Sequence, residues 1–188
     1  GESGITAANK ATCIYANYLE PKESQRLSLL MAVAERAQAQ QARQPECINA
    51  WYWQAYALGR YSQGISVAKA LAEGLGTRVR KALETTIRLA PNHADAHIAL
   101  AAFHAEVIDK VGALIGGMTY GARKDVGLRH YQTALRLNPH SAIALVEYAN
   151  GMVMLEGERR MDEATALYQQ AAHTTPADAM ERLDVELA

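Results

Sequence analysis

The chain lacks the patterns that mark several large functional classes. Its net charge is −1 over 188 residues, so the basic excess of a nucleic-acid binder is missing. Apolar runs such as Ile143–Val146 are short and interrupted, far below the length of a bilayer-spanning helix. Clusters of Val, Ile and Thr are almost absent, which argues against strands. Cysteine occurs only at Cys13 and Cys47, with no CxxC spacing; two thiols make neither a disulfide framework nor a zinc module. There is no HExxH, no Gly-x-Ser-x-Gly elbow and no GK[ST] phosphate loop, and Gly112, Gly116 and Gly117 follow no strand.

What remains is 49% apolar and 21% charged, an ordinary soluble composition. Ala, Leu, Arg, Gln and Glu dominate long stretches and favour helix. The chain opens on Gly1-Glu2-Ser3-Gly4 without Met. A leader or tag could have been removed, so a cytoplasmic and a periplasmic location both stay open.

The main signal is repetition. Three segments run from helix to a closing proline: Ala82-Leu-Glu-Thr-Thr-Ile-Arg-Leu-Ala-Pro91, Tyr131-Gln-Thr-Ala-Leu-Arg-Leu-Asn-Pro139 and Tyr168-Gln-Gln-Ala-Ala-His-Thr-Thr-Pro176. Each is followed by an Ala-rich helix start, at Ala94, Ala142 and Ala177. Proline ends a helix because it cannot extend the hydrogen-bond ladder. Small residues at fixed offsets let two helices approach, and a tyrosine fills the groove between hairpins. The expected helices cover 5–19, 22–43, 47–73, 77–89, 92–115, 120–137, 141–156, 160–174 and 177–187. The last would be a solvated cap through Glu181, Arg182, Asp184 and Glu186.

These offsets resemble the tetratricopeptide repeat, whose period is about 34 residues. One repeat supplies Leu145, Tyr148 and Ala149, then Ala164, Tyr168, Ala171 and Pro176. The one before supplies His97, Leu100 and Ala101, then Gly127, Tyr131, Ala134 and Pro139. An earlier one supplies Trp51 and Ala55, then Val79, Leu83, Thr86 and Pro91. Pro45 and Pro91 are 46 residues apart, and Pro91 and Pro139 are 48 apart. Each of these two repeats therefore carries roughly a dozen extra residues between its helices, expected as taller hairpins. Tyr56-Ala-Leu-Gly-Arg-Tyr61, Ile108-Asp-Lys-Val-Gly112, Thr119-Tyr-Gly-Ala122 and Ala179-Met-Glu-Arg-Leu-Asp184 resemble long-hairpin members related to the regulator of microtubule dynamics family. The architecture is also similar to the helical-repeat component of bacterial substrate-binding-protein transporters. Residues 1–44 carry no motif.

The resemblance implies an all-α, right-handed α-solenoid with two elongated central hairpins. It also implies one domain over 1–188: a divergent hairpin at 1–44, repeats at 45–176 and a capping helix at 177–188. Stacked hairpins line a concave face with their first helices. The lining positions are Asn49, Tyr52, Trp53, Tyr56 and Arg60; Asp95, Ile98, Ala99, Ala102 and Glu106; and Val146, Glu147, Asn150 and Met154. The expected role is a non-catalytic scaffold or adaptor holding a protein or peptide partner. The alternative is a transporter-associated carrier of an apolar small molecule held between the long hairpins. No cofactor and no metal are implied, and self-association stays open.

The hairpin tips are a second candidate. Each has Gly, an apolar residue, then Thr77 or Thr119 as N-cap, then basic residues. Leu75, Met118 and Tyr120 would stand with Arg78, Lys81, Arg123 and Lys124 on a rim suited to an anionic partner or a membrane surface. The plain alternative is turn, cap and solvated helix.

Consecutive Trp51, Tyr52 and Trp53 cannot all face one way, so at least one is core. His93, His97 and His104 have helical spacing but no visible fourth ligand, and His97 and His104 fall on packing positions. His130, His140 and His173 fit turns or solvent. Glu106 and Lys110 are spaced as a surface ion pair. Cys13 and Cys47 are either two buried thiols or a disulfide, if the first and second hairpins abut there.

Overall fold

The computed structural model describes residues 2–176 and 179–188, without the side chains of Glu2 and Leu187; Ala177 and Asp178, read as the start of the last helix, lie outside them. All regular structure among the described residues is helix, with no strand. They pack as two compact units, Gly1–Pro91 and Asn92–Ala188.

In the first unit, α1 (Glu2–Ile14) runs through a π-turn (Tyr15–Leu19) and pairs with α2 (Glu23–Arg43). Helix α3 (Ile48–Gln63) packs on both α2 and α5 (Leu75–Leu89), with the short α4 (Val67–Ala72) between α3 and α5. Ala37, Ala50, Ala57 and Ala82 are fully buried and let the backbones close up around Leu30, Leu58 and Leu83. Three glutamines, Gln40, Gln41 and Gln54, are also buried. Gln41 donates to the Ala50 carbonyl at 3.0 Å and to Gln54 Oε1 at 2.9 Å, and Gln40 donates to Cys47 Sγ at 3.3 Å. These bonds offset the desolvation of the amide N–H groups, while Gln40 Oε1 is buried without a hydrogen-bond partner.

In the second unit, α6 (Ala94–Val111) pairs with α8 (Lys124–Leu137), and α9 (Ala142–Glu156) pairs with α10 (Met161–Ala172). Helix α7 (Ala113–Tyr120) lies between α6 and α8, and α11 (Ala179–Leu187) closes on α9 and α10. Helix α9 also packs along both α6 and α8. The repeat residues do the expected work: Leu100, Ala101, Tyr131, Ala134, Leu145, Ala149, Ala164 and Ala171 are all buried. Tyr131 stacks on Tyr148 across the α8–α9 seam, with centroids 5.1 Å apart and planes at 23°. Pro91, Pro139 and Pro176 are exposed just beyond α5, α8 and α10.

The extra residues of the central repeats do lie between the paired helices, but they form separate short helices and do not lengthen the long ones. The helix expected over 47–73 stops at Gly64, and Ser66 caps α4 by accepting the Lys69 N–H at 3.2 Å. The helix expected over 92–115 breaks at Gly112, whose φ of 82° lies where side chains are disfavoured. Neither threonine is an N-cap. Thr77 lies inside α5, which is capped by Gly74, and Thr119 lies inside α7. Asp184, expected on the solvated face of the cap, is buried, because α11 turns that side onto α9 and α10.

Both cysteines are buried thiols. Burial pushes the Cys13 thiol up from 9.0 to about 12, against the opposing pull of Arg36. A raised acid pKa gives stability that is complete below pH 9.0 and lost as pH climbs toward about 12. At about pH 8 the thiolate is too scarce and too enclosed to react. Iodoacetamide therefore leaves Cys13 unlabelled in the native chain and labels it in urea, as peptide mass mapping would read. Labelling of the native chain at the denatured rate would refute the buried placement.

Helix α6 begins with His93 as its cap, Nδ1 accepting the Ala96 N–H at 3.2 Å. Burial holds this imidazole below its ordinary 6.5; His97 adds to that effect, while Asp95 works against it. A depressed pKa means the cap contributes fully above pH 6.5 and fails as pH falls through the lower folded value. Acidification therefore costs about 1 kcal/mol, the usual worth of an N-cap. In pH-resolved thermal melts, His93→Asn keeps the cap and flattens this loss. An unchanged slope would sink the assignment.

Candidate functional site

The aromatic run of the first unit forms one self-packed group. Tyr52 and Trp53 meet edge to face at 5.0 Å, and Trp53 and Tyr56 at 5.5 Å. Tyr52 and Trp53 are 8% and 7% exposed, so both belong to the core and not to an open surface. Trp53 Nε1 is buried there without a hydrogen-bond partner. Trp51 is the half-buried member, its Nε1 donating to the Pro45 carbonyl at 2.7 Å across the preceding turn. Of the polar and aromatic side chains of α3, Asn49 and Gln63 are exposed and Trp51, Tyr56, Arg60 and Ser62 are half-buried. The Arg60 guanidinium lies 5.6 Å from the Tyr56 ring centroid and donates to Gln63 Oε1 at 3.2 Å.

In the second unit the accessible positions make two matching stripes. On α6 they are Asp95, Ala99, Ala102 and Glu106; on α9 they are Ile143, Glu147, Asn150 and Met154. Both follow helical spacing, and the two helices pack side by side. Ile98 and Val146, expected on these stripes, are turned inward. Ile98 packs with Ala134 and Ala144. Val146 packs with Leu145 and Ala171. Neighbouring residues point about 100° apart, so one step along the helix separates lining from core.

The stripes carry three carboxylates, Asp95 and Glu106 on α6 and Glu147 on α9. Glu106 sits 4.0 Å from Lys110 as a partly exposed i,i+4 pair of small energetic weight. Burial chiefly, and then the charges of Glu147 and Glu106, push the Tyr131 phenol well above 10.0. Tyr168 is raised by burial and then by Glu147, and it donates to Asn150 Oδ1. Tyr131 and Tyr168 thus both lie close enough to Glu147 to feel its charge.

The histidines fall differently from the sequence reading. His130, expected at a turn or in solvent, is half-buried, and its Nδ1 meets His97 Nδ1 at 2.8 Å. One of these nitrogens must carry the proton and the other accept it. His104 stacks against His130 and accepts the Arg123 backbone N–H at 3.2 Å through Nδ1. The only hint in the sequence was that His97 and His104 share a face while His130 directly precedes the core Tyr131. Among the described residues, no three His, Cys, Asp or Glu side chains converge to hold a metal ion.

At the tip of the first unit, Leu75 is buried, Arg78 donates to Gln38 at 3.3 Å, and Lys81 is exposed. At the tip of the second, Met118 is exposed and Tyr120 half-buried. Arg123 pairs with Asp125 at 3.2 Å, and Lys124 with Glu156 at 2.9 Å. No helix among the described residues is long and apolar enough to cross a membrane.

No family model matches the chain, and no curated protein matches it in sequence. Among solved structures, a thermophilic TPR protein of Thermus thermophilus is similar, with a TM-score of 0.60 at 20% sequence identity. The match covers 87% of this chain and 74% of that one. With hairpins paired as described, alanines and glycines at the crossings and Tyr131 in the seam, the chain has the tetratricopeptide-like all-α fold.

Proposed function

We propose that this chain is a non-catalytic binding scaffold, and that the open face of α6 and α9 takes a protein segment bearing basic side chains. The observation that carries this is the pair of adjoining stripes, in which Glu106 and Glu147 stand among small and apolar neighbours, Ala99, Ala102 and Ile143. An extended or helical segment can lay its apolar side on the alanines and direct lysine or arginine at the carboxylates. Asn150 offers an amide beside them, tied to Tyr168. In the first unit, Tyr56 and Arg60 supply an aromatic and cationic contact of the kind common at binding surfaces.

Fluorescence polarisation with a library of short labelled peptides, graded from basic to acidic, tests the reading. Basic, partly apolar peptides should bind, with affinity falling as salt rises. Equal binding of acidic and basic peptides would overturn the assignment. So would a small apolar molecule found to occupy the gently purified chain by native mass spectrometry, which would favour the carrier alternative.

A further inference from the structure

Helix α7 is amphipathic in the wrong sense for a surface helix in water. Its inner side is glycine: Gly116 is buried, and a Cβ there would lie 3.0 Å from Val107 Cγ1 and 3.6 Å from Ala122 Cβ. Its outer side is bulky and apolar, with Leu114 76% exposed, Ile115 57% and Met118 82%. No charged residue occurs between Val111 and Ala122. Immediately outside this run stand Asp109 and Lys110 on one side and Arg123 and Lys124 on the other, a net positive flank. The Ala122 N–H bonds the Gly116 carbonyl at 3.0 Å, which returns the chain to α7 and brings Arg123 back beside it.

Size and charge choose the occupant. Three such side chains expose about 300–400 Å², roughly half of the ~800 Å² that each partner gives to a stable protein interface. Insertion at a bilayer surface works with a patch of this size, because apolar burial adds to attraction between basic residues and anionic lipid. Arg123 and Lys110 are held by solvent-facing ion pairs, which exchange readily for phosphate. The insert of the first unit repeats the pattern in miniature: α4 exposes Val67 and Leu71 with Lys69 between them.

We propose that α7 is a membrane-docking element that inserts Leu114, Ile115 and Met118 at the headgroup–acyl boundary of an anionic bilayer, with Lys110 and Arg123 at phosphate level. The patch is separate from the α6–α9 binding face except for the Glu106–Lys110 ion pair, which links the two. The test is flotation of the full chain with vesicles of equal parts phosphatidylcholine and phosphatidylglycerol, and with phosphatidylcholine alone. The chain floats with the anionic vesicles and only weakly with the neutral ones. Leu114→Ser/Ile115→Ser/Met118→Ser lowers partitioning roughly tenfold or more, and Arg123→Gln lowers it severalfold. Circular dichroism checks that the variants are folded. Met118→Trp is a second probe, since its emission shifts to the blue on adding anionic vesicles. Failure of the wild-type chain to float, or a folded triple variant that floats equally well, overturns the proposal. So does self-association of the wild-type chain that the triple variant abolishes, which would give the patch to a second copy.

Discussion

Gly151→Ala lowers the unfolding free energy by about 3 kcal/mol, at the upper end of ordinary overpacking. A Cβ at this position of α9 would collide with Tyr131 Cε2 and Oη and would lie 2.6 Å from Cζ. The ring has no room to retreat, because it is 1% exposed and stacked on Tyr148. Tyr131→Ala costs about 3–5 kcal/mol by emptying the same seam. In the double variant the cavity admits the new methyl group, so the combined loss is smaller than the sum of the single losses. Urea titrations read all three. A lowered midpoint with an unchanged slope reports lost stability and not a changed denatured state. A Gly151→Ala loss below about 1 kcal/mol would mean that the seam yields, and the packing argument for the repeat would fail with it.

Charge reversal on the open face gives the second large effect. Glu106→Lys/Glu147→Lys weakens a basic peptide roughly tenfold to a hundredfold, about 1.4–2.8 kcal/mol, in the range for partly exposed interfacial charges. Much of the loss is repulsion and disappears in high salt, where the variant and the wild-type chain converge. Thermal stability changes little, since both glutamates are only partly buried. Removing Glu147 also eases Tyr131 and Tyr168 back toward 10.0, although burial, the larger cause for each, remains. Unchanged affinity in a folded double variant would refute the binding face without touching the fold.

Much of the fold was legible in the sequence. The prolines at 91, 139 and 176 marked where α5, α8 and α10 end, because each removes an amide the helix would need. The small residues Ala101, Gly127, Ala134 and Ala171 sit where backbones meet. At Gly127 a Cβ would fall 3.1 Å from His104 Cβ. The position of the two insertions was also readable. Their shape was not, since apolar and alanine-rich residues on both sides of Gly64 and Gly112 carry one continuous helical signal. A single left-handed φ at Gly112 is enough to end α6.

By itself, then, the sequence determined the long paired helices, their order and the tyrosine in the seam, but not the short helices α4 and α7. These follow from local propensity and from offsets repeated along one chain. Only the tertiary structure decided which neighbour on a helix faces inward: Ile98 and not Ala99, Val146 and not Glu147, and both Tyr52 and Trp53. It alone brought His130 to His97 and turned the apolar side of α7 outward. The reason is angular. A helical pattern fixes a face only to within about one residue, or about 100°, and the choice within that margin is made by contacts from helices far away in sequence.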